Sequence, residues 1–302
     1  MLNVILETCA GTLTQGLIYA ILSYGIFITY KILDFPDLTV DGSFPLGAAV
    51  TAVLLTHGVN AWLTLPIALV IGALAGLCTG LIHVRAKVRD LLAGIITMTA
   101  LYSINLQIAG SNLMVERAVD TIYTSAPVMA VLGSVPLLYR KLIVSLVLTV
   151  LIGLVLEWYF STKNGLLLRA VGDNDTLVTT LAVDKGRMKI LGLVIANALV
   201  ALSGCIVCQE GRSFSATMGT GQMVFGLAAV IIGTTLFRRM SFVKGTAAVV
   251  IGSILYKACI QIAILLGLPG NMLKFITAAL FLVILITGNL SSRKGGADRA
   301  GA

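Results

Sequence analysis

The chain has 302 residues, of which 58% are hydrophobic and only 11% charged, with a net charge of +8 and a mean hydropathy of +1.01. A soluble domain carries about 25% charged residues, so this composition excludes an ordinary water-soluble fold and implies an all-α polytopic membrane protein. In such a protein the surplus of Lys and Arg marks cytoplasmic loops at the lipid surface and is no sign of a nucleic-acid partner.

Nine hydrophobic segments are expected, at residues 10–30, 44–55, 62–84, 91–109, 142–160, 190–208, 222–237, 242–266 and 272–290. Residues 1–10 lack the cationic start and cleavage site of a signal peptide, so none is expected. A long loop over 110–139 separates the fourth and fifth segments and holds Pro127 and Pro136. The tail from 291 to 302 is polar and reads as disordered.

The longest polar interruption is 161–189, STKNGLLLRAVGDNDTLVTTLAVDKGRMK, with five cations and three aspartates. Gly165 supplies a turn, and 176–183 can form a short amphipathic helix before Gly186 breaks it. Such a helix can dock a cytoplasmic partner or simply lie on the membrane surface. Placing this stretch in the cytoplasm puts 15 of the 21 Lys and Arg inside and 5 outside, with Lys257 within a span. That bias sets the amino terminus outside and the carboxyl terminus inside. The basic pair Arg140–Lys141, left on the outer side, runs against it.

The second and seventh segments are too short to cross about 30 Å of hydrocarbon. Polar, Gly-rich, non-helical stretches precede both, DFPDLTVDGSFP over 34–45 and QEGRSFSATMGTGQ over 209–222. An offset of 180 residues aligns them, matching Leu22, Ser23, Ile26, Ala48, Ala49 and Val50 with Leu202, Ser203, Ile206, Ala228, Ala229 and Val230. The two copies enter from opposite sides, which is an inverted repeat with two broken helices, the plan of a transporter. The chain then divides into a first membrane repeat (1–160), a coupling segment (161–189), a second repeat (190–290) and a tail (291–302).

Several polar residues have both a structural and a functional reading. Asp34, Asp37 and Asp41 either line a path that favours an amine-bearing solute or cap the helix that follows. Asp41 and Ser43 are good N-cap types, and Pro45 suits a first turn. Glu210 and Arg212 can pair with each other, meet an extracellular partner or face solvent. Lys257 and Gln261, four residues apart in a span, should face the bundle interior and find partners, an ion pair among the options. Asn105, Gln107 and Asn197 read as interhelical hydrogen-bond residues, and Gly72, Gly76 and Gly80 as a tight packing stripe. Cys205 and Cys208 form a C-x-x-C that reads better as two small apolar residues on a helix than as a redox pair. No nucleophile elbow, zinc motif or phosphate loop occurs, so no enzyme activity or cofactor is expected on this chain. If ATP is used, a partner subunit binds it.

RAVGDN at 169–174, followed by LAVDKGRMK at 181–189, resembles the cytoplasmic coupling segment of the permeases of ATP-binding-cassette importers. The superfamily is the one that includes branched-chain amino-acid and ribose permeases. FPDLTVDGSFPLGAAV at 35–50 is similar to a less-studied branch of predicted amino-acid-type importers, and the likeness extends from about residue 16 to 288. The resemblance implies an inverted-repeat permease in a bacterial plasma membrane, paired with a second copy. It also implies two cytoplasmic ABC ATPases and an extracytoplasmic solute-binding protein. Arg169, Gly172, Asp173, Asn174, Ala182 and Asp184 would engage the ATPase, while Asp37, Asp41, Ser43 and Gln222 would border the path. The solute would be small and polar, an amino acid or a relative. Three aspartates in the first break depart from the branched-chain pattern, so that specificity does not carry over. An ion-coupled secondary transporter or channel explains the repeat equally well, but not the charged central stretch.

Overall fold

The structure is a computed structural model that describes residues 2–173, 184–237 and 244–267, with five further helical positions at 275, 278, 279, 282 and 283. The elements in order are α1 (Leu2–Ile26), continued by a π-helical stretch (Phe27–Ile32), α2 (Val40–Thr56), α3 (Ala61–Val84), α4 (Asp90–Ala109), β1 (Asn112–Met114), α5 (Ala126–Leu132), α6 (Leu137–Ser161) and α7 (Lys163–Asp173). After the central stretch come α8 (Lys185–Gly211), β2 (Ser213–Ser215), a 3-10 turn (Ala216–Gly219), α9 (Gln222–Leu236) and α10 (Gly245–Leu265). Among the described residues, seven helical segments are long and apolar enough to span a membrane, and α2 is the shorter apolar one; the seventh expected segment, read as too short, reaches spanning length once the 3-10 turn is joined to α9. The ninth expected segment and the tail fall largely or wholly outside the described residues.

The exposure pattern inverts that of a soluble protein. Leu63, Val70 and Leu74 on α3, and Val147, Leu151, Leu154 and Trp158 on α6, are all exposed. In water such surfaces would aggregate, whereas hydrocarbon solvates them without cost. The centre is built from α1, α2, α8 and α9, whose Leu22, Phe44, Val200 and Ala229 share one core. Helices α3, α4, α6 and α10 pack around these.

Small residues let the inner helices touch. Gly72, Gly76 and Gly80 run down the face of α3 that lies along α8. A Cβ on Gly76 would overlap the Leu193 carbonyl, and one on Gly72 the Asn197 carbonyl. Close backbone approach gains dispersion energy where no hydrophobic effect drives helices together.

The structure moves several expected boundaries. Helix α2 begins at Val40, so Pro45 sits inside it and not in a first turn. The first break shrinks to 33–39. Helix α8 continues to Gly211, which places Gln209 and Glu210 on a helix and confines the second break to 212–221. The 110–139 loop is partly ordered into α5 and β1. Strand β1 pairs antiparallel with β2, Leu113 opposite Phe214, tying that loop to the second break. Three-residue strands have no period to read in a sequence.

Gly76→Leu should lower stability by at least about 1–3 kcal/mol, the usual cost of overpacking. Gly11→Leu, at a site where nothing lies within 4 Å, should be neutral. Thermal unfolding of the detergent-purified protein monitored by size-exclusion chromatography checks both.

Candidate functional site

The end of α1 directs the first break. Its π-helical stretch closes with Leu33 N donating to the Ile28 carbonyl at 3.0 Å and Phe35 N to that of Thr29 at 2.9 Å. Asp34 then takes a left-handed conformation, φ 50°, which ends the helix. The chain turns back into the protein interior, where backbone groups must find protein partners.

Asp37 supplies some of them. Its Oδ1 accepts from Thr39 N at 2.9 Å, and its Oδ2 accepts from Asn197 Nδ2 of α8 at 2.7 Å. Ser43 Oγ donates to Asn197 Oδ1 at 2.7 Å, and the Thr39 and Thr79 hydroxyls lie 2.8 Å apart. Asp37, Thr39, Ser43, Thr79 and Asn197 are all buried. They form a closed polar knot among α2, α3 and α8, of the kind that stays dry only when nearly every member has a partner.

Asp41 does something the sequence does not suggest. It sits in the first turn of α2 but caps a different helix. Its Oδ2 accepts from Gly221 N at 3.0 Å and its Oδ1 from Met223 N at 2.8 Å, at the start of α9. The residue before α2 is Thr39, whose side chain makes no cap bond to its own helix. One carboxylate therefore serves the amino-terminal ends of both short helices, where the partial positive charges of two helix dipoles meet. Gly221 permits this by adopting φ 87°. Gly219 packs so closely that a Cβ there would overlap the Asp41 carbonyl. Asp41 and Gly221 are 180 residues apart, the same offset that aligns the two halves.

A cavity of 240 Å³ opens beside this junction, bordered by Asp41, Met98, Thr99, Tyr102, Asn105 and Thr220 among others. Asn105 is fully buried and donates to the Gly42 carbonyl at 3.1 Å, while its Oδ1 has no partner. Nearby, Thr99, Tyr102, Ser103 and Gln107 are exposed on α4, interspersed with the exposed Ile95 and Ile96. Gln222 donates to the Met218 carbonyl at 2.8 Å, and its buried Oε1 is unpartnered. Of the four residues expected along a path, Asp41 alone borders this cavity; Asp37 and Ser43 belong to the closed knot.

Lys257 lies within α10, as expected, but its partner is no carboxylate. Its ammonium sits 3.6 Å from the Tyr19 ring centroid and 5.2 Å from that of Phe225. The two rings meet edge to face at 4.9 Å. Cation–π attraction strengthens where water is excluded.

At the far end of α8, Glu210 and Arg212 do not pair with each other. Glu210 binds Lys141 at 2.8 Å, and Arg212 donates to the carbonyls of Glu116 and Val119. Arg140 is buried and donates to the carbonyls of Gly133 and Val135. Both members of the basic pair that runs against the charge bias thus find local acceptors, with Arg140 Nε left unpartnered. Tyr123 lies at hydrogen-bond distance from Ser145, and burial pushes its phenol well above the ordinary range. Cys205 is buried beside Thr64 and Gln209, both within weak hydrogen-bond reach.

The coupling residues divide. Arg169 is exposed on α7, its guanidinium 4.9 Å from the Phe160 ring centroid. Gly172 faces inward, where a Cβ would overlap the Ile32 carbonyl. That close approach seats α7 on the end of α1, and Gly172 itself is half-buried. Asp184 caps α8, accepting from Gly186 N at 2.8 Å. Asp173 ends α7, and its side chain, like Asn174, Ala182 and the 176–183 helix, lies outside the described residues.

Residues 8–285 match the family model described as branched-chain amino acid transport system / permease component, and the chain belongs to that family. It is 38% identical over 281 residues to a tyrosine transport system permease protein of Clostridioides difficile, covering 93% of this chain and 91% of that one. It is 27% identical to the ribose import permease protein RbsC of Haemophilus influenzae, covering 78% and 68%. It is 26% identical to a probable branched-chain amino acid transport permease protein, LivH, of Methanocaldococcus jannaschii, covering 64% and 63%. No solved structure matches the chain.

Asp41→Ala should cost about 1–2 kcal/mol, the range for loss of a helix cap. Asp41→Asn, which keeps an acceptor oxygen, should cost less. Thermal unfolding in detergent measures both, and equal melting of Asp41→Ala and the parent protein would contradict the bridge.

Proposed function

We propose that this chain is the membrane-spanning subunit of an ATP-driven importer for an amino acid or a close relative, in the plasma membrane of a bacterium. The observation that carries this reading is the meeting of two interrupted segments at Asp41. Transporters place broken helices at the substrate path, where their free amino-terminal ends act on polar groups. The amino-acid class is supported by the relatives named for tyrosine and branched-chain amino acids. The ribose relative leaves sugars as the competing class.

In this reading the cavity bordered by Asp41 and Asn105 is a section of the path. Asp37, Ser43 and Gln222 hold its walls. The exposed face of α4 borders water or a second permease copy. The α7 end of the bundle faces the cytoplasm, as the charge distribution favours. There the 161–189 stretch, with Arg169 and Asp184 at its exposed positions, receives the ATPase. ATP is bound by that partner. The opposite end, with the β1–β2 ribbon and the Lys141–Glu210 pair, receives a solute-binding protein. ATPase closure then moves the bundle between outward-open and inward-open arrangements.

Reconstitution with the ATPase and binding protein should give ATP-dependent accumulation of radiolabelled tyrosine or a branched-chain amino acid in proteoliposomes. Ribose should not compete. Equal uptake by this chain alone would favour an ion-coupled carrier and defeat the importer reading. Asp173→Arg should abolish uptake and leave the folded bundle intact. Gly172→Arg, in contrast, should misfold, because it drives a side chain into the α1 backbone.

A further inference from the structure

A second cavity, of 620 Å³, lies at the α7 end of the bundle. Its walls come from the π-helical end of α1, the last turns of α6, α7 and the first turn of α10. The inner wall is apolar, made by Phe27, Phe160 and Leu166, and the rim carries Lys31, Arg169 and Lys244. Glu157 is the one carboxylate among the lining residues, and Lys244 already engages it at 2.6 Å. Among the described residues, neither Lys31 nor Arg169 forms a salt bridge. The cavity therefore pairs a greasy wall with surplus positive charge at the level where α1 leaves the membrane.

We infer that this cavity binds an anionic phospholipid of the leaflet on the α7 side, its phosphate held by Lys31 and Arg169 and its acyl chain laid against Phe27, Phe160 and Leu166. Both halves of the ligand are needed to match the site. A free phosphate would leave the apolar wall wet, and a neutral lipid would leave two cations unanswered. Basic pockets between helices at a membrane face attract anionic lipid headgroups. Arg169 is held by stacking on Phe160, which keeps its planar fork available for bidentate contact with phosphate oxygens. This inference needs only that the chain spans a bilayer, and it stands apart from the solute and from ATP. It has a mechanical consequence nonetheless, since α7 forms one wall and a seated lipid would fix that helix against α1 and α10.

The test is native mass spectrometry of the full-length protein in detergent, with added phosphatidylglycerol or phosphatidylcholine. The parent protein should retain phosphatidylglycerol about tenfold more strongly, and Lys31→Gln/Arg169→Gln should lose that preference. Leu166→Glu, which places a carboxylate on the apolar wall, should lose it as well. Arg85→Gln/Arg89→Gln removes the same charge from the α3–α4 connection and should keep the preference. Circular dichroism confirms that each variant is folded. The inference is overturned by equal retention of both lipids, or by an unchanged preference in both cavity variants. It is also overturned if the Arg85/Arg89 control loses the preference equally. Displacement of phosphatidylglycerol by millimolar inorganic phosphate would reassign the site to a free anion.

Discussion

A helix that stops inside a membrane leaves backbone N–H groups with no water to receive them. Among the described residues, α2 and α9 each begin after an interrupted stretch in the protein interior, and the Asp41 carboxylate stands between the two starts. It accepts from Gly221 and Met223 at the start of α9 while occupying the first turn of α2. Without it, two positive helix ends would face each other in a medium that screens poorly. The second break is anchored by that contact, and α4 closes over the same turn of α2 through the bond from Asn105 to the Gly42 carbonyl.

The polar knot around Asp37 serves a related purpose. It lies on the other side of α2 and joins that helix to α3 and α8 through Asn197 and Thr79. Together the two carboxylates tie the end of the first break and the start of α2 to the second half of the chain, Asp37 through Asn197 and Asp41 through Gly221 and Met223. A transporter needs such rigidity next to its path, because alternating access moves whole helical units and must not unravel the irregular backbone between them. The unpartnered Oδ1 of Asn105 and Oε1 of Gln222 are the places where this satisfaction is incomplete. Both lie close to the junction, and an unpaired buried acceptor carries a desolvation cost that a hydrogen-bond donor would relieve.

The α7 end follows a different logic. Helix α7 is seated by Leu168, Val171 and Gly172 against the end of α1, so its inner face is structural and its outer face free. Within RAVGDN the two described residues Arg169 and Gly172 therefore have different surroundings. Gly172 is a packing residue, while Arg169 is a surface cation stacked on Phe160. A sequence motif read as one functional unit separates into seat and handle once its neighbours are known.

The sequence by itself determined the membrane class, the existence of eight of the segments (seven of them to within about five residues, α1 starting eight residues earlier than expected), the approximate places of the two breaks and the family. Each of these rests on composition, or on apolar runs whose length must match the bilayer. It also identified Asn105 and Asn197 as interhelical hydrogen-bond residues and the Gly72–Gly80 stripe as a packing face, whereas Gln107, given the same role as the two asparagines, is exposed on α4. Only the tertiary structure decided who partners whom. Asp41 caps a helix 180 residues away instead of its own, Lys257 rests on rings instead of a carboxylate, and Glu210 chooses Lys141 over Arg212. The physical reason is common to all three. A polar side chain in a low-dielectric interior is held by whichever complementary group lies within a few ångströms, and that proximity is set by helix packing across the whole chain, which no local pattern records.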